Sequence, residues 1–331
     1  MTDLNQGGQR HADAETTAAA AVVDLLTTRA AEGSRPGRRT DQARLVLLIE
    51  GGSSRGTFSS GMTLVIEERG LLDCFDAVYG SSAGALNAAW LLCRRAAHSI
   101  SAWWDPEVMR RVIDPLRALR GRPIIDTRHL VYHVYEHVMP MGFTDILDNA
   151  VTFHPLATNA QTGASTDLHS LLTDVPQLQL ALRATTCLPV LAGRPVSLGT
   201  ERYVDAGVSE SVPIHTAIAQ GATHIVALRT RRPEELVHPP SRLERRIVGG
   251  YLARHAPGAL DAWMHRHERR ADEERALAGH PAVLQIRPPA DAPVIGRVER
   301  DPGVLRSAVE CGRAVAAAAL GGAAAGNVSS G

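Results

Sequence analysis

Lysine is absent from the 331-residue chain, so all 35 basic residues are arginine, and 35 acidic residues bring the formal net charge to zero. That balance argues against an electrostatic nucleic-acid binder and gives no strong pull toward an anionic membrane. We read the all-arginine usage as coding bias rather than function. Aromatic residues are scarce at 4%, so the core must be aliphatic and base stacking is not a theme. The four cysteines, Cys74, Cys93, Cys187 and Cys311, are scattered, with no C-x-x-C pair and no Cys/His cluster. This excludes a disulfide framework and a zinc site, and it fits a reducing compartment. Cys93 and Cys187 lie in apolar segments and read as buried thiols. No stretch reaches the ~18 consecutive apolar residues of a membrane span. Residues 1–20 are polar and lack the basic start and apolar core of a signal peptide. A cytoplasmic location is the expectation.

Apolar residues make up 44% of the chain, enough for a sizeable core. Residues 1–40 read as a flexible lead-in with a short helix around 15–29, closed by the Gly/Pro/Arg stretch 33–40. Residues 321–331 are Gly/Ala/Ser-rich and read as a disordered tail. Between them, residues 44–320 alternate strands with helices as one domain. Leu45 to Ile49 is a continuous apolar run, the mark of a buried parallel strand. A Gly-rich loop and a helix over 63–69 follow, then a strand over 75–79 and a helix over 83–95. Further strands are expected at 151–157, 202–204, 224–228 and 283–286. Helices are expected at 177–185, 213–219, 241–277 with a break at Pro257-Gly258, and 304–320. The alternation predicts an α/β fold with a doubly wound, mostly parallel sheet.

Gly80-Ser81-Ser82-Ala83-Gly84 stands between a strand and a helix and has the form G-x-S-x-G. A sharp strand-to-helix turn pushes one hydroxyl out over the sheet edge, and Gly80 and Gly84 leave room for it. Ser82 then sits at a helix N-terminus, where partial positive charge favours a developing anion. By itself the pentapeptide is weak, because a structural glycine turn capping a helix would read the same way. Two more segments stand at strand ends. Glu50-Gly51-Gly52-Ser53-Ser54-Arg55-Gly56 leaves backbone N–H groups uncovered and able to point at an anion. It has neither the Gly-Lys-Ser/Thr ending of a P-loop nor the G-x-G-x-x-G spacing. Tyr203-Val204-Asp205-Ala206-Gly207 ends a strand on an acid. Strand ends on one edge of a parallel sheet converge, which would bring Asp205 to Ser82.

Together these segments resemble the patatin-like phospholipases, whose loop reads D-G-G-G-x-[RK]-G, elbow G-x-S-x-G and acid turn D-G-[GA]. The segment 182–189, ending in Cys187-Leu188-Pro189, resembles that family's A-[ST]-x-A-x-P helix end, and Gly296 to Asp301 is similar to a bacterial subgroup. The resemblance spans roughly residues 44–320. It implies a three-layer α/β/α fold and a lipid acyl hydrolase without metal or cofactor. By position, Ser82 is the implied nucleophile and Asp205 its general base. The implied oxyanion loop comprises Gly51, Gly52, Ser53, Arg55 and Gly56. A lipid or acyl-ester substrate and transient membrane contact are implied as partners. Ser53 replaces the third glycine of the family loop, and Ala206 stands where glycine is more usual.

Two other readings stay open: a catalytically silent lipid-binding protein on this scaffold, and a Ser-His-Asp esterase or thioesterase. Among 14 histidines, His215, His224 and His280 are the candidates for such a triad. His265, His267, Glu268, Asp272 and Glu273 lack metal-ligand spacing and read as a solvated helix face. Trp103-Trp104 and Met139-Pro140-Met141 read as core or as the lining of an acyl pocket.

Overall fold

The computed structural model describes residues 2–235 and 238–324, with residues 2–14 described by backbone alone. Among them, eight strands form one sheet. These are β1 (Leu45–Ile49), β2 (Ala77–Ser81), β3 (Thr152–Asn159), β4 (Ser165–Asp167), β5 (Val196–Leu198), β6 (Glu201–Val204), β7 (His224–Leu228) and β8 (Val283–Ile286). The order is β5-β6-β3-β2-β1-β7-β8, with β4 beside β3. The five strands from β3 to β8 along this path run parallel. The short strands β4, β5 and β6 pair antiparallel.

The apolar run of β1 is buried on both faces, as a central parallel strand requires. Leu45, Leu47 and Ile49 point into one core, and Val46 and Leu48 into the other. One helical layer holds α1 (Thr2–Ala31), α2 (Gly56–Glu68), α3 (Ala83–Leu92) and the helix Pro302–Ala319. Helices Ile214–Ala219 and Arg266–Gly279 pack on the opposite face. The three-layer α/β/α architecture with a mostly parallel sheet is therefore as expected.

Three elements differ from expectation. First, the lead-in holds the long helix α1, whose Val22, Leu26 and Ala30 join the main core. Its Arg29 is fully buried and donates to Asp41 at 2.7 and 2.9 Å, to Asp76 at 2.9 Å, and to the carbonyls of Cys74 and Ala43. These bonds tie α1 to the entries of β1 and β2. Second, α2 starts at Gly56, directly after the Gly-rich loop, and runs through Gly61, which lies under the helix Pro302–Ala319. A Cβ at Gly61 would fall 2.0 Å from the Val309 carbonyl, so this glycine permits the crossing rather than breaking the helix. Third, the stretch 241–277 is divided into short helical pieces, with a break at Pro257-Gly258 as read. Of the expected tail, residues 325–331 lie outside the described residues, while Ala323 is buried. Among the described residues, no helix is long and apolar enough to cross a membrane.

Candidate active site

β2 runs through Gly80 and Ser81, and α3 begins at Ala83, so Ser82 is the whole of the turn. Its backbone has φ 54° and ψ −125°, a region that side-chain-bearing residues seldom enter. The turn can form because a Cβ at Gly84 would lie 2.2 Å from the Ile49 carbonyl, and one at Gly80 would lie 2.5 Å from Ala85 Cα. The Ser82 N–H is held by Thr185 Oγ1 at 2.9 Å, which braces the strained residue from the end of helix Val175–Thr185.

Asp205 reaches Ser82 by a route the sequence pattern does not show. Its strand β6 is not part of the parallel set but returns antiparallel against the end of β3, with Val204 opposite Thr158. Asp205 Oδ2 accepts the Ser82 hydroxyl at 2.7 Å. Asp205 Oδ1 accepts the Gly207 N–H at 2.8 Å. The Asp205 N–H donates to the Cys187 carbonyl at 2.9 Å, and the Thr158 hydroxyl donates to the Asp205 carbonyl at 2.8 Å. Both Ser82 and Asp205 are buried. Burial pushes the Asp205 carboxyl up to about 6, against the opposing pull of the Ser82 and Gly207 hydrogen bonds and the charges of Arg297 and Arg270.

The Gly-rich loop faces the same serine. Of its backbone donors, the Gly51 N–H is committed to the Ser211 carbonyl at 3.1 Å and the Arg55 N–H to the Gly52 carbonyl at 3.1 Å. The Gly56 N–H bonds back to Ser53 and Ser54. Among the described residues, the N–H groups of Gly52 and Ser53 have no hydrogen-bond acceptor. Ser53 has φ 53°, a glycine-like conformation. Its hydroxyl offsets that strain by donating to the Arg297 carbonyl at 2.6 Å, and Ser54 Oγ donates to the same carbonyl at 3.1 Å. The segment 296–301 thus folds onto the loop. Glu50 anchors the loop from below. It is fully buried and meets Arg229 at 3.1 Å, Arg270 at 3.0 Å and Arg231 at 3.7 Å. Burial opposes its charge, and these three arginines outweigh the burial and hold its carboxyl far below the usual range.

Two cavities meet at Ser82. One, of about 90 Å³, is mostly apolar and is lined by Leu86, Trp90, Trp103, Val108, Met109 and Tyr135 among others. Trp103 is therefore a lining residue, whereas Trp104 and Met139 pack against the core and Met141 lies within it. The other cavity, of about 310 Å³, exposes Asp205, the Gly-rich loop and several arginines.

No histidine lines either cavity among the described residues. His215 faces Asp272 at 3.1 Å, His224 contacts Thr223, and His280 accepts the Ala282 N–H. Glu273 departs from the expected solvated face. It is buried and accepts the Ser211 and Val212 N–H groups at 2.7 and 3.1 Å, and burial lifts it to about 7. His265, Glu268 and Asp272 are half-exposed or exposed as read. Thr185, Thr158 and the Glu50 cluster escaped the sequence reading. Only Thr185 carried a signal, as a member of the segment 182–189.

The sequence profile of the patatin-like phospholipase family matches residues 47–218, just over half of the chain. YjjU, an uncharacterized protein of Escherichia coli K12, is 30% identical over 207 residues, which cover 61% of this chain and 56% of that protein. The chain thus spans little more than half the length of this curated relative. The crystal structure of VipD from Legionella pneumophila aligns with a TM-score of 0.44 at 13% identity, over 85% of this chain and 67% of that one. The family profile takes in the Gly-rich loop, the Ser82 turn and the Asp205 turn together, and this chain belongs to the patatin-like phospholipases.

Proposed function

We propose that the protein is a lipid acyl hydrolase that uses Ser82 as nucleophile and Asp205 as general base, with residues 44–320 as its catalytic domain. The observation that carries this reading is the 2.7 Å hydrogen bond from a strained, buried serine to a buried aspartate at the junction of two cavities.

Ser82 Oγ attacks the ester carbonyl carbon as its proton passes to Asp205 Oδ2. The carbonyl oxygen becomes an oxyanion facing the Gly52 and Ser53 N–H groups. Each such donor is worth about 3 kcal/mol in the transition state. The tetrahedral intermediate collapses, the C–O bond to the alcohol breaks, and Asp205 returns its proton to the leaving alkoxide. Water then attacks the acyl-serine, giving a proton to Asp205; the C–O bond to Ser82 breaks, Asp205 returns that proton to Ser82 Oγ, and the carboxylic acid leaves. The apolar cavity receives the acyl chain, and the arginine-lined cavity receives the alcohol portion. No residue with histidine chemistry is needed in this cycle. Leu243 and Ile247, exposed at the mouth of the second cavity, are the proposed points of transient membrane contact.

Labelling with a fluorophosphonate probe followed by peptide mapping tests the dyad. Label is expected on Ser82, absent in Ser82→Ala and strongly reduced in Asp205→Asn. Ester hydrolysis should fall by about 10⁵-fold or more in Ser82→Ala. A folded Ser82→Ala protein with full activity would remove Ser82 from the mechanism.

A further inference from the structure

The second cavity is walled by five guanidinium groups, from Arg55, Arg231, Arg266, Arg270 and Arg297. They come from the loop after β1, the segment after β7, the helix Arg266–Gly279 and the connection that follows β8, so no local pattern announces the cluster. Three carboxylates face them, and each is already engaged. Glu50 is shared by Arg270, Arg231 and Arg229. Glu235 lies between Arg231 and Arg55, 3.6 Å from the latter. Glu244 is 3.4 Å from Arg266 and accepts the Ser241 N–H at 2.8 Å. Asp205, the other acid on the wall, is taken by Ser82 and Gly207. Arg297 is exposed and makes no ion pair among the described residues.

The buried part of the cluster is short of acceptors as well as of negative charge. Among the described residues, the Nε–H groups of Arg55 and Arg231 are buried without a hydrogen-bond partner. Burial, with Arg270 and Arg55 alongside, pushes Arg231 down to about 9, and burial also lowers Arg55. An oxyanion in the cavity would supply both the missing acceptor and the missing charge, and guanidinium matches a phosphate in fork geometry. A cationic group entering the cavity would meet only carboxylates that already have partners.

We propose that this cavity selects esters whose alcohol portion carries a net negative phosphate group, seated on Arg231, Arg297 and Arg55, over esters whose alcohol portion is zwitterionic or uncharged. The assignment rests on the acyl hydrolase reading above, because it names the leaving-group side of that reaction.

The test uses the full chain and three esters with the same acyl chain: a monoacylglycerol phosphate, the corresponding phosphocholine ester and the uncharged monoacylglycerol. The wild-type kcat/KM for the phosphate ester is expected to exceed the other two by about ten-fold or more. That ratio should collapse toward one in Arg297→Gln, whose exposed position does not threaten folding, and in Arg231→Gln. Equal kcat/KM for the three esters, or a ratio unchanged in both variants, overturns the proposal. A non-hydrolysable ether analogue, an alkylglycerol phosphate, separates this site from the chemistry. If no ester is cleaved but the ether binds by calorimetry and Arg297→Gln weakens it, the dyad fails and the anion site stands. If inorganic phosphate binds in an Arg297-dependent way while the wild type ignores substrate charge, the site holds a free anion and the substrate assignment falls.

Discussion

Asp205 carries the main energetic conflict at the scale of single residues. Its carboxyl is lifted from 3.8 to about 6, chiefly by burial. A raised acid contributes stability that is whole below its unfolded value and lost as pH rises through its folded value. Above pH 6 the ionised form therefore weighs against the fold, by roughly 3 kcal/mol at about 1.4 kcal/mol per unit. Asp205→Asn should consequently raise the melting temperature at pH 8, with no gain at pH 4, while lowering kcat/KM by about 10⁴-fold as the base is lost. An Asp205→Asn protein that melts lower at pH 8 would contradict this account. The base must be ionised to accept the Ser82 proton, so kcat/KM on a short soluble ester should rise to a plateau with a midpoint of about 6. The Ser82 turn was legible in the sequence as a local glycine spacing, and Asp205 as a strand-ending acid, but the antiparallel return of β6 that brings the two together was not. The brace from Thr185 to the Ser82 N–H was not, since a threonine 103 residues away acquires that role only in the fold.

Glu50 shows how elements are held in register around the site. It directly follows β1, accepts the Thr230 N–H after β7 at 2.8 Å, and meets Arg270 of the helix Arg266–Gly279 at 3.0 Å. Arg229, buried beside it, continues to Glu274 and Gln285. Replacing Glu50 with glutamine would leave these buried guanidinium groups without their shared counter-charge, at a cost of about 3–5 kcal/mol. Calorimetry of Glu50→Gln should show that loss near neutral pH. Because the Glu50 carboxyl is depressed in the folded chain, its contribution is present above the unfolded value near 4.5 and disappears as pH falls. The wild-type advantage over Glu50→Gln should shrink in acid. The parallel strands were readable from apolar runs such as 45–49 and 224–228. Of the antiparallel strands, β6 was read at 202–204, whereas β4 and β5, three residues each, are too short to carry a period, and the direction of all three is set by pairing with β3 or with β6. The same limit hid the role of α1, whose Arg29 finds its partners 12 to 47 residues further along the chain.

Taken whole, the molecule gathers some of its exposed apolar side chains at the second cavity. Leu243 and Ile247 line the arginine-rich cavity while remaining 67% and 50% exposed. Val298, beside Arg297 in the segment that caps the Gly-rich loop, is also exposed. Apolar side chains around an arginine-bearing mouth suit a surface that meets lipid while charges face the head groups. Burying one such side chain contributes about 1.5–3 kcal/mol. The double variant Leu243→Asp/Ile247→Asp should therefore lower the ratio of vesicle hydrolysis to soluble-ester hydrolysis by about ten-fold or more. An unchanged ratio would place membrane contact elsewhere.

The sequence by itself determined the alternation of elements, the buried central strands and the serine turn. These follow from apolar periodicity and from the local G-x-S-x-G spacing. Tertiary structure decided which N–H groups of the Gly-rich loop bond to the rest of the described chain, which way β6 approaches, and which arginines surround the second cavity. Those outcomes depend on pairings between residues far apart in the chain, such as Ser53 with Arg297 and Glu50 with Arg270. Side-chain pairing at that separation leaves no period and no spacing in the sequence, because the fold alone sets the distance.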